Sequence, residues 1–306
     1  MRFHVSGVQS LFTKASTAVR YQRILRTFTF LLLVLLAVAP AGLTSQQKEV
    51  PRAIISDDFN KLRPKASLRT KSRTRPSRRY RLAATAQGKS TGVSNSETLP
   101  LGLTIWELKP RDGSYGANQN TRWQARRVEA DTKFRAGDLL RLSIESPRGG
   151  YLYVINRDLF PDGSPGETNL IFPKRGENNL LEGGRLIDIP AENQAPFRAN
   201  PKPNQSGEYL VIIVTSTPLA LPLYDKTLPI SNAQLMEWEE RWSGFTERFE
   251  MNGGAGQART IAEHEASSLK GTRQLTRDDP SPQTIFYLTP KNNDGLLFNL
   301  MLSYAR

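Results

Sequence analysis

The sequence predicts a mainly β protein, an antiparallel β-sandwich or open barrel with one or two inserted helices, after a disordered basic N-terminal region. Two observations support this prediction. From residue 101 onward, short apolar runs alternate with Gly, Pro, Asn and Asp, which is typical of strands joined by turns. Before residue 101, the chain is rich in Lys, Arg, Ser and Thr. Much of that region cannot bury enough apolar surface to offset its ordering entropy.

Charge is distributed unevenly along the 306 residues. Residues 1–47 carry five Lys or Arg and no acid, and residues 48–91 carry thirteen basic residues against three acidic ones. Residues 92–306 carry 24 basic and 26 acidic residues. The net charge of +13 is therefore a property of the N-terminal third. It gives little support to a folded domain that binds nucleic acid.

Residues 1–41 have the pattern of a secretory signal. Three arginines precede an apolar core from Phe28 to Ala39, and small residues in an A-x-A pattern follow at 39–41. A basic region, a short apolar run and such a cleavage site are the marks of a signal peptide. The alternative is an uncleaved inner-membrane anchor over residues 27–47, since a spanning helix needs about 20 apolar residues. Both interpretations predict export, to the periplasm, the cell surface or the extracellular space.

Residues 42–100 are predicted to be a disordered basic linker to the module at residues 101–306. The positive charges at residues 61–81 predict contact with an anionic lipid or a cell-wall polymer, and a solvated spacer is the alternative. Nucleic acid is a poorer match, because Tyr80 is the single aromatic residue in this stretch and base stacking needs more.

Eight runs in the module are predicted to be strands. They are residues 103–108, 138–146, 150–157, 168–173, 185–190, 208–216, 283–290 and 295–305. Polar and apolar residues alternate in the second run, which predicts a half-buried strand. The run at 208–216 is apolar on both faces, which predicts a central strand covered on both sides. The turn sequence at 290–295 predicts that the chain ends in an antiparallel hairpin.

Two helices are predicted among these strands. Ser231 is a suitable N-cap for a helix over residues 231–250, and apolar residues then recur at steps of three and four. They are Leu235, Trp238, Trp242, Phe245 and Phe249. We expect this helix to pack on the sheet, and a partner-binding helix is the alternative. A second, short helix is predicted at 258–269.

Several motifs within residues 102–305 resemble a known bacterial family. "FRAGDLLRLSIESPRGGYLYVINRD", "LIFPK" and "PSPQTIFYLTP" are similar to the domain of unknown function 4384 family. The resemblance implies an exported N-terminus, a β-rich module, and an accessory or sensing role rather than catalysis. The family has no settled activity, so the resemblance assigns no catalytic residue.

The loop after the strand at 150–157 is a candidate calcium site. Asp158, Asp162 and Glu167 supply oxygen ligands within ten residues, and Gly163 permits a sharp turn. Their spacing is not that of an EF-hand. The plain alternative is a hairpin turn, because turn geometry also selects Asp, Gly and Pro. No cofactor other than this structural Ca²⁺ is predicted.

Other catalytic chemistry has little support in the sequence. The chain has no cysteine, which excludes thiolate nucleophiles and cysteine-ligated zinc. It has two histidines, so a Ser-His-Asp enzyme would depend on His264, which we expect to be a surface residue of a helix. Gly183 and Gly184 open a strand, whereas a phosphate-binding loop opens a helix. The four tryptophans are expected to be buried rather than to line a groove.

The sequence therefore predicts an exported, non-catalytic binding or accessory module of the bacterial cell envelope, with a protein or envelope component as its partner. Two alternatives stay open. One is a serine- or carboxylate-dependent hydrolase, with or without a metal. The other is a chain that binds nucleic acid or an anionic polymer through its basic linker.

Overall fold

The computed structural model describes residues 52–65, 98–110, 123–267 and 271–305, and it is mainly β, as the sequence predicts. These residues belong to one unit, Val50–Arg306. The predicted signal at 1–41 and most of the predicted linker lie outside the described residues. None of the helices in the described ranges is long and apolar enough to cross a membrane.

Three helices and fourteen strands follow one another along the described ranges. In chain order they are α1 (Arg52–Lys61), β1 (Leu99–Pro110), β2 (Trp123–Val128), β3 (Lys133–Phe134), β4 (Leu139–Glu145), β5 (Gly150–Leu159), β6 (Pro165–Phe172), β7 (Leu180–Leu181), β8 (Leu186–Ile189), β9 (Phe197–Arg198), β10 (Gly207–Thr215), β11 (Leu228–Pro229), α2 (Asn232–Trp242), β12 (Phe245–Glu250), α3 (Ile261–Ser267), β13 (Thr284–Thr289) and β14 (Gly295–Tyr304).

The strands form two sheets of seven strands each. Sheet A has the order β12-β13-β1-β4-β8, with β2 beside β1 and β9 beside β4. Sheet B has the order β11-β6-β5-β10-β14-β3, with β7 beside β5. All the pairs are antiparallel except β14 with β3. The predicted sandwich is confirmed.

The main apolar core is built from the strand positions that point between the two sheets. Alternating residues of β1 and β4, such as Leu103 and Leu142, share this cluster with alternating residues of sheet B, such as Val154 and Ile212. All four are at most 1% exposed. Each such side chain contributes about 1.5–3 kcal/mol by leaving water.

A second apolar cluster lies on the outer face of sheet B, under α2. Leu235, Trp238 and Trp242 of α2 pack with Val211 and Ile213, the β10 residues that point away from the main core. Ser231 caps the helix by accepting a hydrogen bond from the N–H of Gln234 at 3.2 Å. The prediction that residues 208–216 form a central strand covered on both sides is confirmed.

All eight predicted strands are present, but the predicted C-terminal hairpin is wrong. β13 pairs with β1 and β12 in sheet A, whereas β14 pairs with β10 and β3 in sheet B. The turn at 290–295 therefore carries the chain from one sheet to the other. Phe286 of β13 and Phe298 of β14 meet across the interior, with ring centroids 4.6 Å apart. The turn signal was local, and it did not say which strand β13 would pair with.

The prediction of one helix over 231–250 is correct for its first half and wrong for its second. The helix ends at Trp242, and residues 245–250 form β12 at the edge of sheet A. Gly244 makes the close approach possible, because a Cβ there would lie 2.1 Å from the carbonyl oxygen of Thr289. Phe245 and Phe249 did not distinguish the two structures, since residues four apart share one face of a helix and of a strand. The predicted second helix is confirmed as α3.

Part of the predicted linker is folded, which corrects the prediction of disorder for residues 52–65. Helix α1 buries Ile55 and Phe59, which are 5% and 0% exposed. They pack against Met251 of the chain after β12 and Ile285 of β13. The segment had few apolar residues and a basic surrounding sequence, so composition alone indicated disorder.

Arg63, just after α1, fixes this segment to sheet A. Its Nε and Nη2 each donate to a carboxylate oxygen of Glu145 in β4 at 2.7 Å. The two side chains are each 1% exposed. Arg63 also donates to the carbonyl oxygens of Asp279 and Pro280, at 2.9 and 3.0 Å. The pair is bidentate and fully buried, so removal of either side chain would leave a buried charge without a counter-ion and destabilise the fold.

We predict that Arg63→Ala lowers the free energy of unfolding by about 3–5 kcal/mol, because it leaves Glu145 buried without a counter-ion. Urea denaturation of the full chain measures this. The double variant Arg63→Met/Glu145→Leu should recover much of the loss, since it removes both charges.

Lys61→Ala is the matched control, because the Lys61–Asp58 pair is exposed at the end of the same helix. It should leave the urea midpoint unchanged. An Arg63→Ala midpoint equal to that of the wild type would contradict the structural role of this segment.

Candidate functional site

The outward-facing positions of β4 carry Arg141, Ser143 and Glu145, and all three are buried. The alternate positions of the strand belong to the main core. The outer face is covered by α1, by α3 and by the chain beside them. Buried polar groups are costly without partners, so each of the three needs a donor or acceptor from the covering segments. Glu145 receives Arg63, as described above.

Trp106 of β1 is the centre of the next group. Its side chain is fully buried, and its Nε1–H donates to Ser143 Oγ at 2.7 Å. The Ser143 hydroxyl in turn donates to Asp188 of β8. The guanidinium groups of Arg127 and Arg259 lie 5.5 and 5.6 Å from the Trp106 ring centroid. Cations over an indole are attracted by its ring electrons, so both arginines are oriented by the same residue.

Arg127 and Arg259 each have a carboxylate partner. Arg259 Nη2 donates to Asp188 Oδ2 at 2.8 Å, and these side chains are 8% and 2% exposed. Arg127 pairs with Glu263, and each of those side chains is 4% exposed. Glu263 also accepts a hydrogen bond from the N–H of Thr260 at 2.9 Å, which caps the start of α3. The charges of both arginines are therefore compensated within the protein.

A pocket of about 320 Å³ opens at the end of this layer. Leu108, Trp123 and Leu139 form its apolar wall, and the loop at residues 192–196 closes the opposite side. Three arginines also line it: Arg141, Arg198 and Arg259. The volume lies in the range of small-molecule and side-chain binding sites.

Arg141 has no carboxylate partner within salt-bridge distance among the described residues. It is 8% exposed. Its Nη2 donates long hydrogen bonds to the carbonyl oxygens of Gln194, at 3.2 Å, and of Ala191 and Glu192, at 3.5 Å. Its Nε has no hydrogen-bond partner in the described part of the chain.

Burial of Arg141 is unfavourable to its charge. Burial lowers the pKa of Arg141 below its usual value, and the nearby Arg259 lowers it further, against the opposing effects of Asp188 and Glu192. A guanidinium nevertheless remains protonated in a protein. The wall of the pocket therefore presents a buried positive charge that has no direct carboxylate partner among the described residues, which is a suitable environment for an anion.

Glu192 lines the pocket, and His264 lies beside Glu192. His264 Nδ1 lies 2.8 Å from Glu192 Oε1, and the His264 side chain is 57% exposed, which confirms its predicted place on the surface of a helix. Ser267 donates its hydroxyl to the backbone carbonyl of His264 and accepts from Arg259. This serine is oriented by contacts other than the imidazole, unlike a nucleophile activated by a histidine base.

The predicted calcium residues lie in and beside a β5–β6 hairpin turn. Gly163 has φ +73° in this turn. Asp162 is exposed, and its Oδ1 accepts a hydrogen bond from the N–H of Ser164 at 2.9 Å, which lowers the pKa of Asp162.

Asp158 and Glu167 are brought together around Lys202, 2.8 Å from each carboxylate. These hydrogen bonds, with Asp158 first, raise the pKa of the Lys202 ammonium. Among the described residues, no group of three or more Asp, Glu, His or Cys side chains is arranged to hold a metal. Calcium binding here stays a prediction, and the ion would have to displace the ammonium.

The sequence interpretation missed the pocket. Alternation predicts Arg141 to be a polar residue of a half-buried strand, because the pattern shows which residues share a face but not whether that face is covered. Trp106, Trp238 and Trp242 are buried, as expected. Trp123 is half-buried and lines the pocket. The signal available in the sequence was Arg141 itself, a charged residue between two leucines of a predicted strand.

We predict that Lys202→Met increases affinity for Ca²⁺ by about two- to fivefold, because an ion pair with a half-exposed lysine is worth up to about 1 kcal/mol. Calorimetric titration with CaCl₂ measures this. Lys226→Met, at an exposed position outside the turn, is the control. Equal affinity in all three proteins would show that Asp158 and Glu167 take no part in calcium binding.

Comparisons with models of known protein families, with curated proteins and with solved structures gave no match. The resemblance to the domain of unknown function 4384 family therefore stays an expectation from the sequence motifs, and any function has to be inferred from the pocket itself.

Proposed function

We propose that this chain is an exported, non-catalytic binding module that holds an anionic group of a protein or envelope partner in the pocket beside Arg141. One observation supports this most strongly. Arg141 is a buried cation whose hydrogen-bond partners among the described residues are carbonyl oxygens and not carboxylates. An isolated buried ion costs several kcal/mol, so a bound anion would recover interactions that the protein lacks.

The pocket walls favour a carboxylate attached to an apolar group. Guanidinium groups bind planar carboxylates through paired hydrogen bonds, and the guanidinium-bearing side chain of Arg141 lines the pocket. Leu108, Trp123 and Leu139 supply the apolar side of the pocket. The C-terminal carboxylate of a polypeptide that ends in an apolar residue has this combination of groups. Phosphate shares the charge but would gain little from the apolar wall.

A binding role is favoured over hydrolysis by the contacts of His264 and Ser267. The His264 imidazole is bonded to Glu192, and Ser267 bonds to a backbone carbonyl and to Arg259. A hydrolase would need a nucleophile and a base within hydrogen-bond distance of each other. Export and the envelope location are proposed from the signal pattern at residues 1–41.

We predict that the protein binds N-acetyl-leucine at least about tenfold more tightly than N-acetyl-leucinamide, because the amide lacks the charge that pairs with Arg141. Calorimetry on the full chain measures both compounds, with inorganic phosphate as a third ligand. In Arg141→Met, the preference for the acid should disappear. Arg175→Met changes an exposed arginine elsewhere and should keep the preference for the acid.

A wild-type protein that binds the acid and the amide equally would contradict the proposal, and tighter binding of phosphate would contradict the choice of carboxylate.

The same variant separates a binding role from a structural one. We predict that Arg141→Met, without ligand, is as stable as the wild type or more stable by about 1 kcal/mol, since it removes an uncompensated buried charge. Thermal and urea unfolding measure this. A clear loss of stability together with unchanged binding of N-acetyl-leucine would assign Arg141 a structural role.

A further inference from the structure

A second cavity lies on the opposite face of β4, between the two sheets. Its volume is about 210 Å³. Apolar residues of both sheets form most of its wall, among them Leu140, Leu142, Phe197 and Leu210. The alternation of β4 thus places Leu139 and Arg141 at the pocket described above and Leu140 and Leu142 at this inner cavity.

One end of the cavity is polar. Along most of the sandwich, the inward-facing residues of β5, β10 and β14 are apolar. At this end of the cavity they are instead Asn156 of β5, Glu208 of β10 and Tyr304 of β14. Asn156 Nδ2 and the Tyr304 hydroxyl both donate hydrogen bonds to the Glu208 carboxylate. Interior sheet positions are normally apolar, so these three half-buried residues form a polar group that differs from the rest of the inward face.

Glu208 is a half-buried carboxylate whose contacts among the described residues include no cation within 4 Å. Lys202 is bonded to Asp158 and Glu167 instead. Arg198 also lines the cavity, and its guanidinium donates to the carbonyl oxygen of Gly137. Burial raises the pKa of Glu208, and Asp158 raises it further, whereas the hydrogen bonds from Tyr304 and Asn156 oppose the shift. The ionised carboxylate is supported by neutral donors, and a cation would complete its environment.

We propose that this cavity binds an organic ammonium ion, with an apolar body about the size of a six-membered ring between the sheets and its ammonium group on Glu208. The cavity is large enough for such a ligand. A cavity of about 150 Å³ in another protein's apolar core accommodates benzene, so 210 Å³ has room for a ring and one further carbon. Each carboxylate oxygen can accept a second hydrogen bond, so Asn156 and Tyr304 can keep theirs.

The ammonium site is independent of the proposed anion site. The two cavities lie on different faces of β4, and they differ in the sign of the ion that lacks a partner. A ligand for one is the wrong charge for the other. The failure of either proposal therefore leaves the other unaffected.

The test compares matched ligands on the full wild-type chain. Benzylamine, benzyl alcohol and benzoate share one ring and differ in charge. We expect ligand-observed NMR titrations to show benzylamine bound at least about tenfold more tightly than benzyl alcohol, since a hydrogen bond between charged groups adds about 1.5–3 kcal/mol. This series needs no variant, so a folding defect cannot obscure it.

Two variants then locate the site. Glu208→Gln should bring the affinity for benzylamine down to that for benzyl alcohol. Ala199→Leu, which adds side-chain volume to a buried residue of the cavity wall, should weaken the binding of both. Glu240→Gln, at an exposed position of α2, should leave the preference for benzylamine unchanged. The proposal is overturned if none of the compounds binds, if the amine and the alcohol bind equally to the wild type, or if Glu208→Gln keeps the preference.

Discussion

Burial of the polar outer face of β4 is the constraint from which much of the molecule follows. A strand of a sandwich normally leaves one face to water, but here Arg141, Ser143 and Glu145 point into a covered layer. Buried ions need partners, and these come from distant parts of the chain. Arg63, in the segment after α1, pairs with Glu145. The Ser143 hydroxyl donates to Asp188, which also pairs with Arg259. The cover of sheet A is therefore specified by charge as well as by apolar packing.

The sequence was sufficient for features that depend on local pattern. The eight apolar runs became strands because period and turn residues are local properties. It was insufficient where pairing between distant segments decides the outcome. β12 is a strand because β13 offers it an edge, and the turn at 290–295 crosses between sheets because Phe298 belongs to the other layer. Helix α1 forms because Phe59 finds a buried position on sheet A.

The candidate sites also differ in how far local sequence pattern reveals them. The acidic loop was visible in sequence because its carboxylates are close along the chain, yet Lys202, which binds two of them, lies 44 residues after Asp158. Arg141 and Glu208 were inconspicuous for the opposite reason. Arg141 is one of three polar residues on the outer face of β4, and Glu208 lies at the start of a run that is otherwise mostly apolar. The character of each depends on what covers it. Alternation shows the face on which such a residue lies, whereas the tertiary structure decides the presence or absence of its counter-ion.

The two ions without counter-ions have a common physical meaning. Arg141 and Glu208 are opposite in charge and line cavities on opposite faces of one strand, with Arg198 of β9 lining both. They line different cavities and form no ion pair with each other. Each lowers the stability of the free protein, because an apolar residue of the same shape would avoid the desolvation cost.

Each site is also rigid, since the strand that carries it is fixed by pairing on both sides. A charge held rigidly without a partner can gain energy from a ligand that brings the missing ion, because little ordering of the protein then opposes binding. The two sites therefore combine lower stability of the free fold with a preorganised environment for a ligand of opposite charge.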